Sequence, residues 1–152
     1  MLLNLQPEND GIDHINIYSK GRTPLGRFLS NFTNCRANTH DGYFNSIEGY
    51  WYWLGTQNDA LRDMSGFNAK KYGKTLPRTI VLPEAQFRAN IWDACWRKLL
   101  SATSTTYILF ANSMLPFEHY YVFTNGHAKD AGYRWLVEMW ERFRTYIKNG
   151  YK

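Results

Sequence analysis

Four residues set the first constraint on the fold. Ile47, Tyr50, Trp51 and Leu54 recur at i, i+3, i+4 and i+7, the spacing that places side chains on one buried helical face. Ser46, just ahead of them, is suited to cap that helix, its hydroxyl accepting from an amide of the first turn. Such a stripe needs a second element packed against it. Glu48 falls off the stripe: at ~100° per residue it points roughly a quarter turn away, on the side of Tyr52 and Gly55. Two readings of Glu48 stay open. A first-turn carboxylate complements the helix dipole, and a carboxylate among bulky aromatics can also sit in a cleft.

The same periodicity places further helices. Pro83 opens a long one, with Phe87, Ile91, Ala94, Cys95 and Lys98 on one stripe that Trp92, Trp96, Leu99 and Leu100 widen. Asp130 is read as the cap of the last, where Trp135, Leu136, Met139, Trp140, Phe143, Tyr146 and Ile147 form a stripe ended by Gly150. Shorter helices are expected at residues 59–65, with Gly66 as C-cap, at 68–72 ending on Gly73, and at 105–112. Alternation over residues 13–19 predicts a short strand, and residues 35–45 a hairpin turning at Asp41-Gly42. The aromatic run 116–124 predicts another strand, followed by a turn at 124–127. Residues 20–26 read as a loop and 76–83 as extended chain. The resulting class is α+β: one helix-rich domain over residues 13–152 with a small antiparallel sheet, after a lead-in at 1–12.

At 152 residues the chain is long enough to bury a real core. Six Trp, eleven Tyr and nine Phe make that core aromatic, and the same residue types suit faces that stack on flat ligands. A net charge of +5 permits a polyanionic partner, yet the basic residues are scattered and form no basic arm. Cys35 and Cys95 match no metal spacing and read as reduced thiols. No apolar run approaches the ~20 residues of a membrane span, and the N-terminus lacks the pattern of a signal peptide.

Spacing offers no P-loop, no Gly-x-Ser-x-Gly and no His-Glu-x-x-His. The four histidines are too dispersed for a metal site, and nothing in the pattern calls for a cofactor. Gly73-Lys74 is read either as a backbone amide and a cation for a phosphate or as a helix C-cap followed by a solvated lysine. Asn125-Gly126 is read either as an anion cradle or as an ordinary turn.

An ordered set of fragments resembles the NADAR (YbiA-like) family. These are Ile15-Asn16-Ile17-Tyr18-Ser19, Phe28-Leu29-Ser30-Asn31-Phe32, Gly42-x-x-x-Ser46-x-Glu48-x-Tyr50, Ala69-Lys70-x-x-Gly73-Lys74 and Gly132-Tyr133. The resemblance spans the chain from Asp13 to the final helix. It implies an N-glycosidase that cleaves the bond between ribose C1′ and a nitrogen, in phosphoribosylated riboflavin precursors or in ADP-ribose attached to guanine. It also implies a cytoplasmic setting and, as partner, a nucleotide-like small molecule or an ADP-ribosylated nucleic acid. Glu48 would then be the catalytic carboxylate and Asp130 a second acid. Tyr18, Phe32, Tyr50 and Trp51 would form an aromatic floor, Asn31 would hold a ribose hydroxyl or base edge, and Gly73 and Lys74 would meet phosphate. Tyr52 shares the Glu48 face, and Asn125-Gly126 is what remains of the family's glycine-rich segment. The chain departs from the family at Gly49, Tyr52 and Gly55, where the family carries histidine, glutamine and lysine. Two other readings accompany this one: a relative that binds nucleotide, ADP-ribose or a modified base without turnover, and a protein that stacks on single-stranded nucleic acid. Oligomeric state is left open.

Overall fold

The computed structural model describes residues 5–150. In chain order its elements are β1 (Ile15–Asn16), α1 (Pro24–Leu29), β2 (Ala37–Thr39), β3 (Gly42–Phe44), α2 (Ile47–Thr56), α3 (Gly66–Thr75), α4 (Glu84–Leu100), α5 (Ser104–Asn112), β4 (Phe117–Glu118), β5 (Tyr120–Val122), β6 (Ala128–Asp130) and α6 (Arg134–Lys148). Short 3-10 turns precede β1 at Pro7–Asn9 and link α2 to α3 at Asp59–Asp63. The fold is α+β and helix-rich. Among the described residues no helix is long and apolar enough to cross a membrane. The chain divides into two compact units, Asn31–Thr103 and the combination of the segments before and after it.

Within Asn31–Thr103, α2 is the centre. It packs on α3, α4 and the 3-10 turn at Asp59–Asp63, while α4 also covers β2. Ile47, Tyr50 and Leu54 are buried as the spacing predicts, but Trp53 joins them and Trp51 does not. Trp51 is half-buried, its ring edge-on to Phe87 at 4.7 Å between centroids. The reason is glycine on the face the stripe leaves open. A Cβ on Gly49 would lie 2.5 Å from the Leu61 carbonyl oxygen, and Gly55 accepts the amides of Thr79 and Ile80 at 2.8 and 3.2 Å. Backbone therefore covers α2 where a surface helix would meet water. The β2–β3 hairpin forms as expected, but its turn sits one residue earlier, at His40-Asp41, with Gly42 opening β3 at φ +99°.

Three expectations for this unit change. Gly66 does not end a helix; it begins α3, with φ +60°. Gly73 lies inside α3, which runs on to Thr75. The stretch 59–65 is a 3-10 turn at Asp59–Asp63 rather than an α-helix, held by Asn58, whose Oδ1 accepts the Ala60 amide at 3.0 Å.

The other unit is built from α1, α5, α6 and two strand pairs. Its core includes Leu29, Phe110, Phe117, Met139 and Trp140, with the Phe110 ring stacked at 6.0 Å on Phe117 and edge-on at 5.8 Å to Trp140. β5 and β6 form the antiparallel pair expected of a small sheet, but β1 pairs with β4 in parallel, Ile15 opposite Phe117. The segment read as a loop holds α1. Thr23 caps it by accepting the Gly26 amide at 2.9 Å, and Pro24 occupies its first turn. The lead-in also contributes: Asp10 is buried, and its two carboxylate oxygens accept the amides of Asn16 and Arg22. Asp130 does not cap α6. It closes β6 and accepts the Gly132 amide at 2.9 Å, while Tyr133, at φ +54°, precedes the helix with no side-chain cap.

Candidate functional site

Two helix N-termini are stitched to one stretch of chain. Ser46 Oγ accepts the Gly49 amide at 3.0 Å and donates to the Met64 carbonyl at 2.8 Å, so one hydroxyl caps α2 and ties it to the segment leading into α3. The Glu48 amide, which has no partner inside the helix, donates to the Asn31 carbonyl at 2.9 Å; the Gly66 amide donates to the Phe32 carbonyl, also at 2.9 Å. The Asn31-Phe32 backbone thereby fixes the start of α2 against the start of α3. Both residues are half-buried.

The Glu48 side chain is 9% exposed. Its carboxylate takes part in no hydrogen bond and no ion pair among the described residues, although Lys70 and Lys74 of α3 act on it through their charge. Burial pushes its pKa from the ordinary 4.5 up to about 7, and the two lysines pull the other way without prevailing. Because no buried side-chain oxygen is left without a partner among the described residues, the Glu48 carboxylate keeps some contact with solvent while most of the residue is desolvated. Burial and the raised pKa set Glu48 apart from an ordinary solvated first-turn carboxylate. Neither lysine forms an ion pair with a carboxylate among the described residues. Two cations and a proton near neutrality are thus held side by side.

Glycine again sets the spacing. A Cβ on Gly73 would fall 2.3 Å from the Tyr52 ring, so α2 and α3 approach closely only because this position is glycine. That corrects the phosphate-cradle reading of Gly73, whose role is to admit the Tyr52 ring. Lys74, one residue on, stands exposed in the last turn. The departure at Gly49 has a steric cause, and Gly55 is only closely approached by a flexible side chain. The Leu61 carbonyl fills the space a side chain at 49 needs, and the Arg78 guanidinium stands 3.3 Å from where a Cβ on Gly55 would be.

Tyr50 is 1% exposed. Its ring lies against Phe44 and Trp53 at 4.8 and 6.1 Å, and its hydroxyl donates to Asp41 at 2.6 Å. It is core, not floor. Tyr18, Asn125, Gly126 and Asp130 belong to the other unit. Tyr18 is half-buried and edge-on to Tyr121. Asn125 and Gly126 form the exposed tip of the β5–β6 hairpin: Asn125 Oδ1 accepts the His127 amide at 3.0 Å, and nothing stands within 4 Å of where a Cβ on Gly126 would be. This is the ordinary turn. Asp130 is exposed on its strand. The residue that sequence reasoning left without a role is Lys70. Its signal was present, since Lys70 and Lys74 are one helical turn apart and share a face.

No family model and no curated protein matches this chain. One solved structure does: the NMR structure of the E. coli protein YbiA, with a TM-score of 0.65 over 96% of this chain and 95% of that one. The fold resembles that of YbiA. At 14% identity the likeness to YbiA carries the fold alone.

Proposed function

We propose that this chain is an N-glycosidase of the NADAR type, hydrolysing the bond between ribose C1′ and the nitrogen of a phosphoribosylated or ADP-ribosylated base. The observation that carries the reading is Glu48: buried, without a hydrogen-bond partner, and holding a proton up to about pH 7. In the proposed reaction the Glu48 carboxyl donates that proton to the departing nitrogen as the C1′–N bond breaks. The carboxylate left behind stabilises the positive charge developing at C1′ and takes a proton from the water that attacks there. The products are the free base and a sugar with a C1′ hydroxyl. Lys70 and Lys74 supply charge for the phosphate, Asn31 a hydrogen bond to a ribose hydroxyl, and Phe32, Trp51 and Tyr52 aromatic surface beside the base.

A second reading is favoured by Gly49, where the Leu61 carbonyl occupies the space of the family's histidine, and by Gly55, which lacks the family's lysine: a pocket that binds such a ligand without turning it over. One experiment separates the two. The protein and its Glu48→Gln variant are incubated with ADP-ribosylated guanine in DNA, phosphoribosylated aminopyrimidines, NAD and ADP-ribose, and released base is measured by mass spectrometry. Release by the wild type alone supports the glycosidase. A panel member that raises the melting temperature with no release supports binding only, and neither signal rejects both.

A further inference from the structure

The unit formed by α1, α5, α6 and their strands has a cavity of its own, about 270 Å³ in volume, lined by Asp10, Asn16, Tyr18, Lys20, Arg22 and Tyr120 among others. We infer that this cavity is a second binding site, for a small sugar phosphate, independent of Glu48.

Its wall is pre-organised. Asn16, 1% exposed, clamps the backbone of Tyr120 at both ends: its Nδ2 donates to the Tyr120 carbonyl and its Oδ1 accepts the Tyr120 amide, each at 3.0 Å. The Tyr120 hydroxyl lies 2.6 Å from His14 Nε2, and His14 Nδ1 lies 2.5 Å from Asp13 Oδ1. The His14 ring thus links the Tyr120 hydroxyl to the Asp13 carboxylate. The deep polar groups of this wall are therefore bonded to one another, so a ligand meets them without reorganisation.

The groups at the rim are not committed in this way. Lys20 makes no hydrogen bond or ion pair among the described residues, and Arg22 uses one guanidinium nitrogen, on the Glu8 carbonyl at 3.3 Å. Two exposed cations two residues apart at a cavity mouth suit a phosphate, which Arg can meet with two parallel N–H groups. Asp10 selects against a bare anion and for a hydroxylated one. Each of its oxygens accepts one backbone amide and, having a further lone pair, can accept a sugar hydroxyl. The ring of Tyr18 offers an apolar flank. The volume lies below the ~300–1,000 Å³ of drug-sized pockets, which limits the ligand to roughly a monosaccharide phosphate.

The test is calorimetric titration of the full chain with ribose 5-phosphate, ribose and inorganic phosphate, repeated on Lys20→Ala/Arg22→Ala and on Glu48→Gln. Both rim side chains are exposed, and Arg22→Ala keeps the backbone amide that bonds Asp10, so the double variant is expected to melt with the wild type. Ribose 5-phosphate should bind more tightly than either fragment, lose at least tenfold in affinity in the double variant and keep its affinity in Glu48→Gln. Absence of binding, equal affinity in the double variant, or loss in Glu48→Gln alone would each overturn the inference. A chain that binds in this pattern yet releases no base from any substrate keeps this site and removes the proposed activity.

Discussion

Replacing Glu48 by glutamine should stabilise the protein at alkaline pH and leave it almost unchanged near pH 4. The carboxyl ionises at about 7 in the folded chain against an ordinary 4.5, so the folded state holds a proton that the unfolded state has released. Stability then falls as pH rises through that interval. At about 1.4 kcal/mol per pH unit, the ionised Glu48 costs about 3 kcal/mol above pH 7, and below pH 4.5 it costs nothing because both states are protonated. Glutamine keeps the shape and removes the charge. In a chain of this length 1 kcal/mol moves the melting temperature by roughly 2–4 °C, so the variant should melt about 6–12 °C above the wild type at pH 8. Thermal unfolding of both proteins, followed by circular dichroism from pH 4 to 8.5, reads this directly. A difference in melting temperature that stays constant across the range would refute the reasoning, because an uncharged or solvated Glu48 gives parallel curves.

The proposed chemistry carries its own pH signature. If Glu48 delivers the proton, turnover falls as pH passes through about 7, and Lys74→Ala moves that limb to higher pH because the lysine charge favours the carboxylate; a pH–rate profile of both proteins checks each point. Gly49→Ala should lower stability by about 1–3 kcal/mol in urea unfolding, since its Cβ meets the fixed Leu61 carbonyl at 2.5 Å. Tyr50→Phe removes one bond to Asp41 and should cost about 1–2 kcal/mol in urea unfolding; an unchanged unfolding midpoint would show that the bond contributes nothing.

Glu48 was legible in the sequence because everything that singles it out is local: a capping serine two residues before it, an apolar stripe it does not join, and a first-turn position. The environment that makes it chemically unusual was not local. The helix that carries it is packed on α3, α4 and the 3-10 turn, and its amide partner is Asn31, 17 positions earlier. Lys70 shows its spacing to Lys74 in the sequence but not its charge partner: a lysine on a helix reads as solvated until the helix is docked.

The sequence alone determined the elements whose signals lie within a few residues. The Ser46 cap, the start of α4 after Pro83, the β2–β3 hairpin and the centre of the α6 stripe (Leu136, Met139, Trp140 and Phe143) appear where spacing and turn chemistry put them, while Tyr146 at the end of that stripe is exposed. The local signal for α1 is also there, in Thr23 and Pro24, but Gly21 and Gly26 beside them favour a loop by composition. Tertiary structure decided the rest. It paired β1 with β4 across about a hundred residues, buried Trp53 in place of Trp51, and used Gly49 and Gly73 for close approach rather than for turns. Periodicity records which face of an element is apolar. How near another backbone comes, and which charges it brings, depends on contacts between segments that no local pattern encodes.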